Sequence, residues 1–381
     1  MEQFTTQLVS GKDEKQHFIL SLIVKKEYHF NDNGQCYSSD QQSNIVNESG
    51  YYEFNSKLLE DDFELMPFKL FTDVVIKGNA YNPNLNASHF EIDIQVGNYL
   101  NKILVKGNRK VFTGGNKLRF SDAEKIESVP LRYDYAYGGR DNAAIEKLPP
   151  GNEQLLKFLP KDIDRYADTF YNYPRNPQGK GYIVEPNKQF IETLELPNLE
   201  DPDDQLTPEN LIVGNMEHWH KMPLPRCTDW VPCNFFPRKA YMGVFENFLN
   251  PKYPLKEVAK GWADKNLFNS TKDNSFEFNY RYANAASLGL QIPYIRNQEK
   301  IRLVNIHPRV KDFILTFPKD HPAIWVDGRN GKLLETRPVL HSIVIKPDEN
   351  KLSVIWRGSA PALRVYLREE LKVMPFKLQW L

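Results

Sequence analysis

Polar and apolar positions alternate most regularly at Phe90-Glu91-Ile92-Asp93-Ile94-Gln95-Val96. Successive side chains of a strand point to opposite faces, so this pattern predicts a strand with one buried face. Gly97-Asn98 supplies a turn, and Tyr99 to Val105 reads as the return strand of a hairpin. Upstream, Phe18 to Val24 is an unbroken apolar run of strand length, followed by the turn-forming Asn31-Asp32-Asn33-Gly34. Between Pro67 and Pro83, the stretch Lys69 to Tyr81 carries Phe71, Val74, Val75 and Ile76. Gly107-Asn108 offers a further turn before Arg109 to Phe112. Near the other end, Phe276 to Tyr280, Ile301 to Ile306, Phe313 to Phe317, Ala323 to Val326, Val339 to Ile345 and Leu352 to Trp356 read as short strands. Asp327-Gly328 and Pro347-Asp348-Glu349-Asn350 separate them as turns. Many short strands spaced by turns predict a mainly β protein, its antiparallel sheets in a sandwich- or barrel-like arrangement.

The middle breaks this rhythm. From about Leu148 to Pro237 the chain is rich in Pro, Asn and Asp, and Leu196 to Asp204 reads as irregular. Tyr, Phe, Trp and Leu recur throughout, which predicts an ordered, loop-rich segment packed over the sheets and not a disordered linker. Lys239 to Phe248 and Leu255 to Ala263 are the helix candidates. The organisation is thus a β-rich part over 1–147, a loop-rich part with short helices over 148–265 and a β-rich part over 266–381, with one domain spanning all three as the alternative.

Composition sharpens the picture in three ways. The 26 prolines and the 13 % aromatic content suit β-structure with elaborate connections better than a helical bundle. The 49 basic and 49 acidic side chains cancel, which argues against general nucleic-acid binding. No apolar run approaches the ~20 residues of a membrane-spanning helix, the first residues lack a secretory signal, and Cys36, Cys227 and Cys233 are too few for a disulfide framework. A cytoplasmic protein fits all three.

Catalytic motifs are absent. There is no Gly-x-Ser-x-Gly elbow and no His-Glu-x-x-His pair, and Gly114-Gly115-Asn116-Lys117 and Gly179-Lys180-Gly181 lack phosphate-loop spacing. The metal candidate is His218, His220, Cys227 and Cys233, where the six-residue cysteine spacing is wide for one tetrahedral ion. The acids Glu192, Glu195, Glu200, Asp201, Asp203 and Asp204 lack a calcium loop's central glycine, so they read as a solvated loop. No cofactor and no small-molecule substrate is expected.

Several phrases, in order, resemble the type VI secretion accessory family catalogued as a domain of unknown function. They are Pro67 to Tyr81 with its Lys69 and Asp73, then Lys102 to Arg109 with Asn108 in place of the usual acid, then Pro130 to Gly139. Asn176-Pro177-Gln178-Gly179-Lys180-Gly181, Leu196-Pro197-Asn198-Leu199-Glu200 and Val354-Ile355-Trp356-Arg357 follow. Lys110-Val111-Phe112 departs from the Trp expected there, and Pro223 to Pro237 keeps only Arg226, Trp230 and Pro237. The resemblance implies a non-enzymatic adaptor or chaperone that binds a secreted effector protein and helps load it onto a spike or spike-tip protein. The motif residues Tyr137, Gly138, Gly139, Asn176, Pro177, Gly179, Gly181, Leu196, Pro197, Asn198, Glu200, Trp219 and Trp230 are candidates for partner binding or for structural roles. Tyr171, Tyr173 and Arg175 are further anchors for such a surface. The alternative is a carbohydrate-binding or carbohydrate-active β-sandwich, which needs aromatic platforms and paired acids.

Overall fold

A computed structural model describes residues 4–52, 58–114, 117–141, 172–184, 191–214, 221–236, 238–241, 280–295, 299–328 and 331–381. The chain is mainly β, with two principal sheets and no closed barrel among the described residues. In the larger sheet Phe18–Phe30 lies between Thr5–Lys12 and Lys351–Pro361, and Val339–Lys346, Thr72–Ile76 and Gln291–Ile292 continue the order. The smaller sheet runs Leu199–Glu200, Tyr99–Lys106, His89–Val96, Lys300–Val304 and Asp312–Thr316. Nearly every pairing is antiparallel; Thr72–Ile76 against Ser342–Ile345 is a parallel ladder.

The predicted hairpin forms in full register, from His89↔Lys106 to Val96↔Tyr99. Its alternation is the reason: Phe90, Ile92, Ile94 and Val96 enter the core while Glu91 stays exposed. They meet Leu20, Leu22 and Val24 from the larger sheet in one hydrophobic cluster, together with Ile301, Leu303, Phe313 and Leu315. Each such fully buried side chain stabilises the fold by about 1.5–3 kcal/mol.

The Phe18 run does not alternate because the strand is covered on both sides. Its second face packs Ile23 with Val9 and Ile355 against Ile45 and Leu65. The strand also outruns the predicted end at Val24, continuing to Phe30. Lys25 and Lys26 stay in the sheet because each finds a carboxylate: Glu64 Oε1 lies 2.8 Å from Lys25 Nζ, and Asp320 Oδ2 lies 2.6 Å from Lys26 Nζ. Lys26, at 0 % exposure, also sits over the Trp380 ring.

Strands from 1–147 and from 266–381 interleave in both sheets: Phe18–Phe30 pairs with Lys351–Pro361, and His89–Val96 pairs with Lys300–Val304. The described middle residues add a second cluster of Tyr173, Tyr182, Ile183, Val184, Ile191, Leu196, Leu206, Leu211, Val213 and Met222, joined by Val111 and Tyr137. Leu196 to Asp204, read as irregular, contains a short ladder in which Leu199 and Glu200 pair with Val105 and Leu104. Pro197 and Pro202 flank that ladder without having to donate to it. Beyond Gly107-Asn108 the next strand begins at Val111, within the hairpin Val111–Gly114 and Lys117–Phe120. Of the first helix candidate, Lys239 to Phe248, only Lys239 to Tyr241 is described, and it lies in the helix Arg238–Tyr241. The rest of that candidate, the second one and residues Phe276 to Asn279 lie outside the described residues. A third sheet has the order Leu334–Glu335, Pro322–Val326 and Phe376–Trp380. No helix among the described residues is long and apolar enough to cross a membrane.

Candidate functional site

Five of the six phrases that carried the resemblance fold into three buried clasps; the sixth, Val354 to Arg357, lies in the Lys351–Pro361 strand. In the first, Lys69 Nζ donates to Asp73 Oδ2 at 2.7 Å and to Ser342 Oγ at 2.9 Å. Asp73 also accepts from Asn284 Nδ2 at 3.0 Å and from the backbone N–H groups of Ala285 and Ala286, each at 3.1 Å. Four donors thus satisfy one fully buried carboxylate, the condition under which a buried charge is tolerated. Asp73 lies near the start of the Thr72–Ile76 strand, so the clasp ties the 284–286 loop to the larger sheet.

The second clasp gathers Lys106, Arg109, Asn198 and Glu200. Lys106 Nζ lies 2.6 Å and Arg109 Nη2 3.2 Å from the buried Glu200 carboxylate. Arg109 also donates to the Pro197 carbonyl at 2.6 Å. Asn198 Nδ2 donates to Lys106 O at 3.0 Å and to Asn108 Oδ1 at 3.1 Å. Asn108, the departure from the family's acid, therefore still accepts where a carboxylate would. Beside it, Asp201 is buried and takes Arg226 Nε at 2.8 Å. The solvated acidic loop expected from sequence is corrected here: Glu200 and Asp201 are buried because three basic side chains compensate them. Glu192, Glu195, Asp203 and Asp204 remain exposed.

The third clasp is a parallel bridge between Tyr137-Gly138 and Lys180-Gly181. Asn176 locks it, donating from Nδ2 to Tyr133 O at 2.7 Å and Tyr137 O at 3.1 Å while its backbone carbonyl accepts from Gly139 N at 2.8 Å. Glycine is required twice. A Cβ on Gly138, whose φ is +147°, would lie 2.1 Å from Asn176 O, and one on Gly179 would lie 2.5 Å from Ala136 O. Pro177 is half-buried in the connecting turn, and Leu196 anchors the second cluster.

Trp230 lies in the main core, its backbone N–H donating to Asp229 Oδ1. Tyr173 and Arg175, expected at a contact surface, are buried. Trp219, Tyr171, His218 and His220 lie outside the described residues. Cys227 is buried; its thiol donates to Leu131 O at 3.0 Å. Burial and the nearby Asp229 hold that thiol well above its usual pKa, which keeps it protonated. Among the described residues no three His, Cys, Asp or Glu side chains gather as a metal requires.

Two buried titratable groups escaped the sequence. Burial pushes Asp229 up to about 6, against the lowering effect of Lys77 and of the Tyr52 hydroxyl that donates to it at 2.6 Å. Burial, with Lys69 and Arg357 nearby, holds His341 well below the ordinary histidine value, so it is neutral.

Two surface features also went unread. The first is a run of exposed apolar side chains over one stretch of chain, Leu363, Val365, Leu367, Val373, Phe376 and Leu381, with Val373 82 % exposed; it is called the apolar patch below. The run leads into Phe376–Trp380, an edge strand of the third sheet. The alternation Phe376-Lys377-Leu378-Gln379-Trp380 was the signal that marks that strand. The second is a cleft of about 940 Å³ whose wall includes Tyr294, Lys300, Lys319, His321, Arg337 and Trp356. No periodicity reveals it, because its lining comes from separate parts of the chain.

No curated protein and no solved structure matches the chain. Residues 15–357 match the model of a family described as an uncharacterized protein conserved in bacteria, DUF2169. That match spans most of the chain, from inside the first turn to Arg357, and the chain belongs to this family.

Proposed function

We propose that the chain is a non-catalytic adaptor of type VI secretion, which binds a secreted effector polypeptide in the cytoplasm and presents it to a spike or spike-tip protein. The exposed apolar patch around Phe376–Trp380 carries this reading. Large exposed apolar side chains gathered in one stretch favour association, and a sheet edge offers backbone donors and acceptors to an extended segment of a partner. The occupant we assign is such a segment of the effector. The patch lies beyond the residues matched by the family, where a shared scaffold would carry a partner-specific surface. The clasps favour the same reading, since their polar groups are consumed inside the fold. The carbohydrate-active alternative asks for paired acids in a groove; the larger cleft holds no carboxylate among its described lining, and in a second cleft of about 450 Å³ Glu27 and Glu64 are both drawn to Lys25, which lies 2.8 Å from Glu64.

The test is co-expression of a tagged chain with the proteins encoded beside it, followed by size-exclusion chromatography with light scattering. A stoichiometric complex with an effector, weakened by Val373→Asp and Leu367→Asp, is the expected result. An effector complex of unchanged affinity in those exposed variants rejects the patch. Absence of any stoichiometric complex rejects the adaptor.

A further inference from the structure

We propose that the cleft beside the third sheet is a docking groove for an acidic, extended polypeptide segment. The chain as a whole is electrically balanced, with 49 basic and 49 acidic side chains, yet this cleft is not. Lys300, Lys319 and Arg337 line it, all exposed, with His321 beside them, and no carboxylate is among its described lining residues. None of those three cations makes an ion pair among the described residues. Asp320, next in sequence to Lys319, is engaged by buried Lys26 and by the Tyr28 hydroxyl at 3.0 Å.

A buried charge adds to the field. Tyr294, on the cleft wall, accepts from Arg357 Nη2 at 2.9 Å. Arg357 is only 5 % exposed, its Nε and Nη1 have no hydrogen-bond partner, and no carboxylate pairs with it among the described residues. A guanidinium held in low dielectric without a counter-charge projects its field further than a solvated one. The apolar wall is equally specific. Trp356, 3 % exposed, and Tyr294 present aromatic surface to the cleft. A cleft with cations on the rim and aromatic rings on the wall fits a polypeptide of Glu or Asp residues. Its volume of about 940 Å³ accommodates several residues and exceeds what a small inorganic anion needs.

This deepens the adaptor reading and rests on it for the identity of the partner. Pro322, on the cleft wall, pairs with Trp380, so the cleft and the Phe376–Trp380 edge strand share the third sheet. A single partner segment would place its acidic part in the cleft and its apolar part on the patch.

The test is titration of the full chain with a hexaglutamate peptide, read by calorimetry and tryptophan fluorescence, with inorganic pyrophosphate in a parallel arm. The wild-type chain binds the peptide, and binding weakens as salt rises through the range where the Debye length falls below about 8 Å. Lys319→Glu with Arg337→Glu lowers peptide affinity by about tenfold or more, while the matched reversal Lys110→Glu with Lys125→Glu leaves it within about twofold. No binding to the wild-type chain, or equal loss in both pairs of variants, overturns the proposal. Pyrophosphate bound as tightly as the peptide, with the same losses, assigns the site to free anions and also overturns it. The titration requires no partner protein, so its failure is separate from a failure of the co-expression experiment.

Discussion

Replacing Asp73 probes whether the family's phrases mark a scaffold or a contact surface. Asp73→Asn keeps the size of the side chain but removes its charge and turns one acceptor into a donor. Lys69 Nζ, 2.7 Å away and buried, loses its counter-ion, and breaking a buried pair on one side costs about 3–5 kcal/mol. Lys69→Met leaves Asp73 three neutral donors, from Asn284, Ala285 and Ala286, so its cost is smaller, about 2–3 kcal/mol. Combining the two removes both charges, so the double variant is less destabilised than the sum of the singles by about 1–3 kcal/mol. Since natural domains hold only about 5–15 kcal/mol, Asp73→Asn shifts the urea midpoint far while the double variant recovers part of the loss. Tryptophan fluorescence follows the transition, because Trp230 packs near Lys69. Simple additivity, or an Asp73→Asn midpoint close to wild type, would refute the account of this clasp. So would loss of partner binding at unchanged stability, which would make the phrase a recognition element.

Glu200→Gln leaves Lys106 and Arg109 facing a neutral group and lowers the free energy of unfolding by about 3–5 kcal/mol, again by urea titration. Gly138→Ala drives a methyl into the Asn176 carbonyl; differential scanning calorimetry should show a Tm lower by several degrees, and an unchanged Tm would mean the third clasp is slack. Asp229 is raised from 3.8 to about 6 on folding, so its contribution is present below pH 4 and is lost as pH rises through 6. The stability of Asp229→Asn relative to wild type therefore rises by about 2–3 kcal/mol between pH 4 and pH 7, and a pH-independent difference would contradict the burial of that carboxylate.

The β class and the hairpin were legible because period-2 alternation at Phe90 to Val96 reports directly which face is buried. The Phe18–Phe30 strand was legible only as far as Val24, since Lys25 and Lys26 look like surface until their carboxylates, Glu64 and Asp320, arrive from distant sequence. The same reason hid Glu200 and Asp201: composition reads an acidic stretch as solvated, while long-range pairing with Lys106, Arg109 and Arg226 buries it. The glycine and asparagine phrases were identifiable by type, but which carbonyls they approach is fixed by tertiary packing. Surface function was the least legible. The cleft assembles residues from Tyr294 to Trp356, and nothing local marks Lys300, Lys319 and Arg337 as neighbours.

Under the proposed function this chain holds another polypeptide with its surface while the three clasps brace the interior. Hydrogen–deuterium exchange on the chain, free and in complex with the co-expressed effector, tests this most directly. New protection is expected over Leu363 to Leu381 and around Lys319 and Arg337, with no change at Asp73, Asn176 or Glu200. Protection confined to the opposite outer strands, or opening of the clasps on binding, would contradict it.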